Sequence, residues 1–204
     1  MLAILPFAIY AARFGLAGLT QDLSGETYLV QAGAWLTNIS VFVHMLAGSL
    51  LSFLAPLQLF PWLRRNWPAL HRATGRLLIL CAILTALAGL IYIALRGTVG
   101  GTAMDAGFAL YGGLTGLVAV QAFRFAIARN IEHHRRWALR LFVLAIGSWL
   151  YRVQYTIWYI ATDGLASTPD FSGAFDLFMN FGFYLPWLAL LELILFKQQR
   201  RERH

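Results

Sequence analysis

Apolar residues in this chain gather into six long runs, near residues 1–19, 35–60, 77–96, 104–127, 141–161 and 174–196, with polar connectors between them. A hydrocarbon core of about 30 Å is crossed by roughly 20 apolar residues in helical form. Each run therefore predicts a membrane-crossing helix, the second reaching Phe60 only if tilted and the first being short. The expected fold is all-α: an integral membrane bundle of six transmembrane helices, one domain over residues 1–204. The first run lacks a basic leader and an obvious small-residue cleavage site, and Arg13 interrupts it, so it reads as a helix rather than a secretion signal.

The connectors sort their charges by sign. Arg64, Arg65, Arg72 and Arg76 lie between the second and third runs, and Arg129, Arg135, Arg136 and Arg140 between the fourth and fifth. Lys197, Arg200, Arg201 and Arg203 follow the sixth. The other connectors carry Asp22, Glu26, Asp105, Asp163 and Asp170, with Arg96 their lone basic residue. The positive-inside rule makes the basic face cytoplasmic and predicts both termini there.

Composition agrees: 59% of residues are hydrophobic and 12% charged, too few charges to clothe a soluble globule. The net charge of +7 sits at helix ends, so the expected partner is the anionic headgroup layer rather than nucleic acid. A lone Cys81 inside the third run excludes an internal disulfide. Gly112 and Gly116, and Gly48 and Ser52, have the spacing that lets helices approach closely, and are expected to pack helices of this one chain. The piece Thr162–Gly173, with Gly164, Pro169 and Gly173, reads as an external polar loop. No phosphate-binding loop, dinucleotide fingerprint, H-E-x-x-H or C-x-x-C occurs. Glu192, just over one turn before Lys197, is expected near the inner boundary.

An ionisable group inside a membrane span costs roughly 3 kcal/mol or more, so each one asks for a reason. His44 lies nine residues into the second run and Arg152 at similar depth in the fifth. Ser148, Arg152, Tyr155 and Tyr159 share one helical face. Tyr111 and Asn180 reach comparable depth from the fourth and sixth runs, with Tyr184 a turn deeper. Convergence of these faces predicts a pocket holding His44, Tyr111, Arg152, Tyr155 and Asn180, suited to a quinone head group, a small anion or a haem edge. The alternative is that His44 and Arg152 tie helices together through backbone carbonyls.

A second constellation lies on the basic face. His71, Arg72, Gly75 and Arg76 precede the third run, and His133, His134, Arg135, Arg136, Trp137 and Arg140 precede the fifth. Neutral imidazoles at His71 and His134 are candidate axial ligands of a haem iron, with Arg72, Arg76, Arg135, Arg136 and Arg140 candidates for its propionates. Headgroup binding by the same arginines, with Trp62, Trp67 and Trp137 as interfacial anchors, is the simpler alternative.

The run from His44 through H-R-x-x-G-R (His71–Arg76) and H-H-R-R-W-x-x-R (His133–Arg140) resembles a bacterial family of predicted membrane proteins of unknown function. That resemblance implies a multi-pass protein of the bacterial cytoplasmic (inner) membrane and brings no activity. More distantly, the chain resembles six-helix transmembrane b-type cytochromes, whose histidines pair the second helix with the fourth and the third with the fifth. That likeness implies ligand roles for His44, His71 and His134 (or His133). Tyr111 stands where the fourth-helix histidine is expected, which leaves His44 without its partner and limits the pattern to one haem. The function expected is redox-type binding of haem b or a quinone. An accessory or assembly subunit of a larger membrane complex is the alternative, and a transporter is less favoured because no inverted repeat is visible.

Overall fold

A computed structural model describes residues 4–201. Among them the regular structure is helical throughout. The elements are α1 (Leu5–Thr20), α2 (Trp35–Gln58), α3 (Pro61–Asn66), α4 (Pro68–Arg96), α5 (Gly101–Ile127), α6 (Ile131–Ala145), α7 (Gly147–Thr162), α8 (Ala174–Gly182) and α9 (Leu185–Arg201).

Proline and glycine punctuate the chain as their chemistry dictates. Pro6, Pro61 and Pro68 open α1, α3 and α4, where a first-turn N–H has no helical acceptor to lose. Pro186 follows the break between α8 and α9, because it cannot donate to the carbonyl one turn back. Gly97, at φ 76°, stops α4 in a conformation that suits a residue without Cβ.

α2 packs between α1 and α4, α4 against α5, and α5 against α6 and α8, while α9 returns to α6. Small residues make these contacts close. Gly112 and Gly116 of α5 rest on Leu90 and Ala86 of α4, and Gly48 of α2 rests on Thr85 of α4. The core joins Ala47, Leu51, Cys81, Ala82, Ala119, Leu144, Ala145, Phe183 and Tyr184. Larger apolar residues, such as Leu80, Leu84, Leu87, Ile91 and Leu95 of α4, face outward. That distribution suits a hydrocarbon solvent, where burial of small residues and contact with lipid do the packing.

Four helical stretches are long and apolar enough to cross a membrane: Trp35–Gln58, Pro68–Arg96, Gly101–Ile127 and Ala174–Arg201. Four of the six crossings expected from sequence coincide with these stretches, with corrections at their ends, whereas the first and fifth runs contain no single helix of that length. α4 starts nine residues before the expected 77, because Pro68 opens it, so His71, Arg72 and Arg76 belong to its first turns rather than to a connector. The fifth run is not one helix. It is α6 and α7, of 15 and 16 residues, interrupted at Ile146. The sixth is likewise broken, at Phe183 and Tyr184. α1 has only 16 residues, and Met1, with which the first run was expected to begin, lies outside the described residues.

Candidate functional site

Away from the basic rim, polar side chains tie helices to one another. His44 Nδ1 lies 2.9 Å from the carbonyl oxygen of Thr85. A carbonyl only accepts, so Nδ1 carries the proton and Nε2 holds the lone pair of the neutral ring. The ring lies flush on α4 because residue 89 is glycine; a Cβ there would sit 2.8 Å from Nδ1.

Tyr111 reaches the interruption of the fifth run. Its hydroxyl donates to the Leu144 carbonyl, and its ring occupies the space beside Gly147, where a Cβ would lie 2.8 Å from the hydroxyl. Ser52 of α2 donates to the next carbonyl, Ala145, at 3.2 Å. Two hydroxyls from two other helices thus serve carbonyls at the break, which in a lipid-surrounded helix would otherwise face a large penalty. Around Tyr111 stand Phe183 and Tyr184, with ring centroids at 4.9 and 5.2 Å. Tyr184 donates to the Gly107 carbonyl at 3.1 Å.

Asp176, fully buried, is the hub of the loop between α7 and α8. Its carboxylate accepts from Tyr155 Oη at 2.7 Å, Ser167 Oγ at 2.8 Å, Thr168 N at 2.8 Å and Gly173 N at 3.1 Å. The last of these, from the N-cap N–H to the side chain three residues on, holds the start of α8. Asn180, one turn further, is also fully buried, and neither of its amide heteroatoms has a partner.

Arg152 points elsewhere. Its guanidinium donates from Nη1 to the Ser148 carbonyl one turn back, at 2.9 Å, and lies 4.4 Å over the Phe7 ring of α1. It lines a cavity of about 450 Å³ between α1 and α7, together with Pro6, Phe7, Tyr10, Trp149, Val153, Thr156 and Ile157. His44, Tyr111, Tyr155 and Asn180 are not in that lining. Four of the five residues expected in one pocket thus turn to four different neighbours, α4, the α6–α7 break, the Asp176 hub and the α1 cleft, while the fifth, Asn180, is buried with no polar partner.

The basic rim has a different character. His134 Nδ1 is 2.9 Å from the Ala122 carbonyl, which by the same reasoning leaves its Nε2 as the acceptor. His71 Nδ1 is buried without a partner, and the ring is close enough to His134, Arg64 and Arg72 to feel their charges. His133 serves as a structural residue: it stacks on Phe125 at 5.1 Å, and its Nδ1 and backbone N–H both approach the Asn130 cap. Arg72, Arg76 and Arg135 are exposed. Arg136 pairs with Glu132 at 3.3 Å. Arg140 forms a bidentate pair with Glu192, at 2.6 and 2.8 Å, and lies 4.6 Å over Trp137. Glu192 therefore clamps α9 to α6 rather than answering Lys197.

The predicted membrane protein family DUF2306 matches residues 41–195, which take in His44, both histidine-arginine elements, Arg152 and Asp176. The chain belongs to that family. In this DUF2306 protein, α1 precedes the matched stretch, so the Arg152 cleft takes Pro6, Phe7 and Tyr10 from unmatched chain and its other described lining residues from matched chain. No curated protein and no solved structure matches the chain. The DUF2306 assignment carries membrane residence and no activity.

Sequence reasoning missed Asp176 and gave Ser52 a packing role only. An acid two residues after the first apolar residue of the last run was a legible helix-start signal. Nothing local marks Ser52 as the partner of a carbonyl 93 residues away.

Proposed function

We propose that this DUF2306 protein is a six-segment protein of the bacterial inner membrane, both termini cytoplasmic, that binds haem b or a quinone in a redox role. The supporting observation is that His71, with a buried unpartnered nitrogen, lies within electrostatic reach of His134 at the rim carrying Arg64, Arg72, Arg76 and Arg135. In this reading α1 and the broken α6–α7 pair complete the count beside the four longer apolar stretches. Arginine on α3, α4 and α6 and at the end of α9 then faces the cytoplasm, as the charge rule requires.

The donor set suits haem b. His134 offers a neutral Nε2 fixed by its Nδ1 hydrogen bond, the usual way a protein orients an imidazole ligand, and His71 has a buried nitrogen with no protein partner. Those two residues would hold the iron. Among the described residues Arg72, Arg76 and Arg135 have no carboxylate partner and suit the propionates, whereas Arg136 and Arg140 are engaged by Glu132 and Glu192. Haem b supplies one-electron transfer when bound. The protein's part is orientation by Ala122 and positive charge, which favours the reduced, more negative state of an anion-bearing group. His44, already bonded to Thr85 and packed on Gly89, acts as a helix tie in this reading.

The test is an absorbance spectrum of protein purified after haem-supplemented expression, oxidised and then reduced, with organic extraction for quinone. A Soret band that is lost in His71→Ala and His134→Ala but kept in His44→Ala is expected. A colourless, quinone-free preparation sinks the proposal, and comigration of such a preparation with a larger complex in native gels would favour an accessory subunit instead.

A further inference from the structure

We propose that the cleft between α1 and α7 is a lateral site for a single-chain amphiphile bearing a carboxylate, entered from the bilayer and read by Arg152. This goes beyond the redox reading and does not rest on it. The cavity, about 450 Å³, falls within the size of small-molecule sites. Its walls are apolar and aromatic, from Phe7, Tyr10, Trp149, Val153 and Ile157, with Thr156 the only hydroxyl besides that of Tyr10. Among the described residues Arg152 is its one charge and no acidic residue lines it, so the positive charge is unmatched by those residues inside the cleft.

A guanidinium in a membrane normally lies in the bundle interior against a partner, or reaches for the interface. Arg152 does neither. It stands ten residues from the outer end of α7, about 15 Å of helical rise, and its side chain is exposed on the bundle flank. A backbone carbonyl takes Nη1 and the Phe7 face takes part of the charge, but neither neutralises it. The other guanidinium N–H groups form a fork that matches a carboxylate. An acyl chain attached to that carboxylate would run along the apolar flank, where a soluble anion has no route. A neutral quinone head would accept hydrogen bonds but leave the charge unmatched, so charge selects the acid.

The experiment uses the full chain in phosphatidylcholine nanodiscs at alkaline pH, with 9,10-dibromostearate as a quencher of tryptophan fluorescence. Saturable quenching is expected, and Trp149→Phe should remove that component. Arg152→Gln should raise the half-saturating concentration at least about tenfold, the loss of one charge-assisted contact, and Arg152→Lys should restore part of it. If Arg152→Gln does not fold, Val153→Phe, which fills the cavity without touching the charge, should abolish saturation. Linear quenching that reflects partitioning alone overturns the proposal. So does equal quenching by the corresponding dibromo alcohol, or competition by decylubiquinone as strong as by oleate.

Discussion

His44 and His134 make the same hydrogen bond and do different jobs. Each gives its Nδ1 proton to a backbone carbonyl on another helix, at 2.9 Å. Away from the basic rim the surrounding groups are used up: His44 is pressed on Gly89, Tyr111 serves the α6–α7 break, and Tyr155 serves Asp176. At the basic rim they are not, since His71 keeps a buried unpartnered nitrogen and three arginines stay exposed. An ionisable residue in a membrane protein is thus no mark of chemistry by itself. What separates a strut from a ligand is whether its remaining valence is already spent.

That contrast can be broken most forcefully at Asp176. Asp176→Ala removes the shared acceptor of two hydroxyls and two backbone N–H groups, all half-buried, of which the Gly173 N–H keeps only Thr168 Oγ1, and should cost about 2–4 kcal/mol in detergent-based unfolding, with loss of order in the 163–173 loop. A loss under about 1 kcal/mol would show that this end of the bundle is not held by its polar ties. His44→Ala and Tyr111→Phe come next, each expected to cost about 1–3 kcal/mol, because a carbonyl inside the bundle loses its donor. Spectra should be unchanged in both; a His44 variant that keeps its stability but loses a bound chromophore would move His44 to the functional side of the comparison.

The Arg140–Glu192 clamp is half exposed on its glutamate side, which limits its worth. A double-mutant cycle should return a coupling of about 0.5–1 kcal/mol that shrinks with added salt. Salt-insensitive coupling would mean the pair lies deeper than the rim. The smallest expected effect is on stability in His71→Ala, within about 0.5 kcal/mol, since no partner is orphaned by removing a nitrogen that had none. A large loss there would make His71 a strut like His44.

Hydrophobic length made most of the helices legible in the sequence, because span length is set by bilayer thickness and not by distant contacts. Trp35 and Ile127, the expected start of the second run and end of the fourth, are also the ends of α2 and α5. The break at Ile146 was not legible. Gly147 alone does not stop a helix in an apolar run; the break is supported by hydroxyls from Ser52 and Tyr111, far away in sequence. The site residues were legible as types and depths, since a lone histidine or arginine among apolar residues stands out. Their facing was not, because a helix rotated by a fraction of a turn sends Arg152 to α1 instead of toward His44, and hydropathy is blind to rotation when lipid and neighbour are equally apolar.

The interrupted fifth segment also has a consequence for biogenesis. Both side chains that serve its carbonyls, Ser52 and Tyr111, are translated before Leu144 and Ala145 leave the ribosome. The nascent kink therefore meets donors already waiting in the bilayer, and vectorial synthesis spares it an interval of solitary exposure. A circular permutant that delivered α6 and α7 ahead of α2 and α5 would remove that head start, and should yield less inserted protein even though its finished contacts were identical.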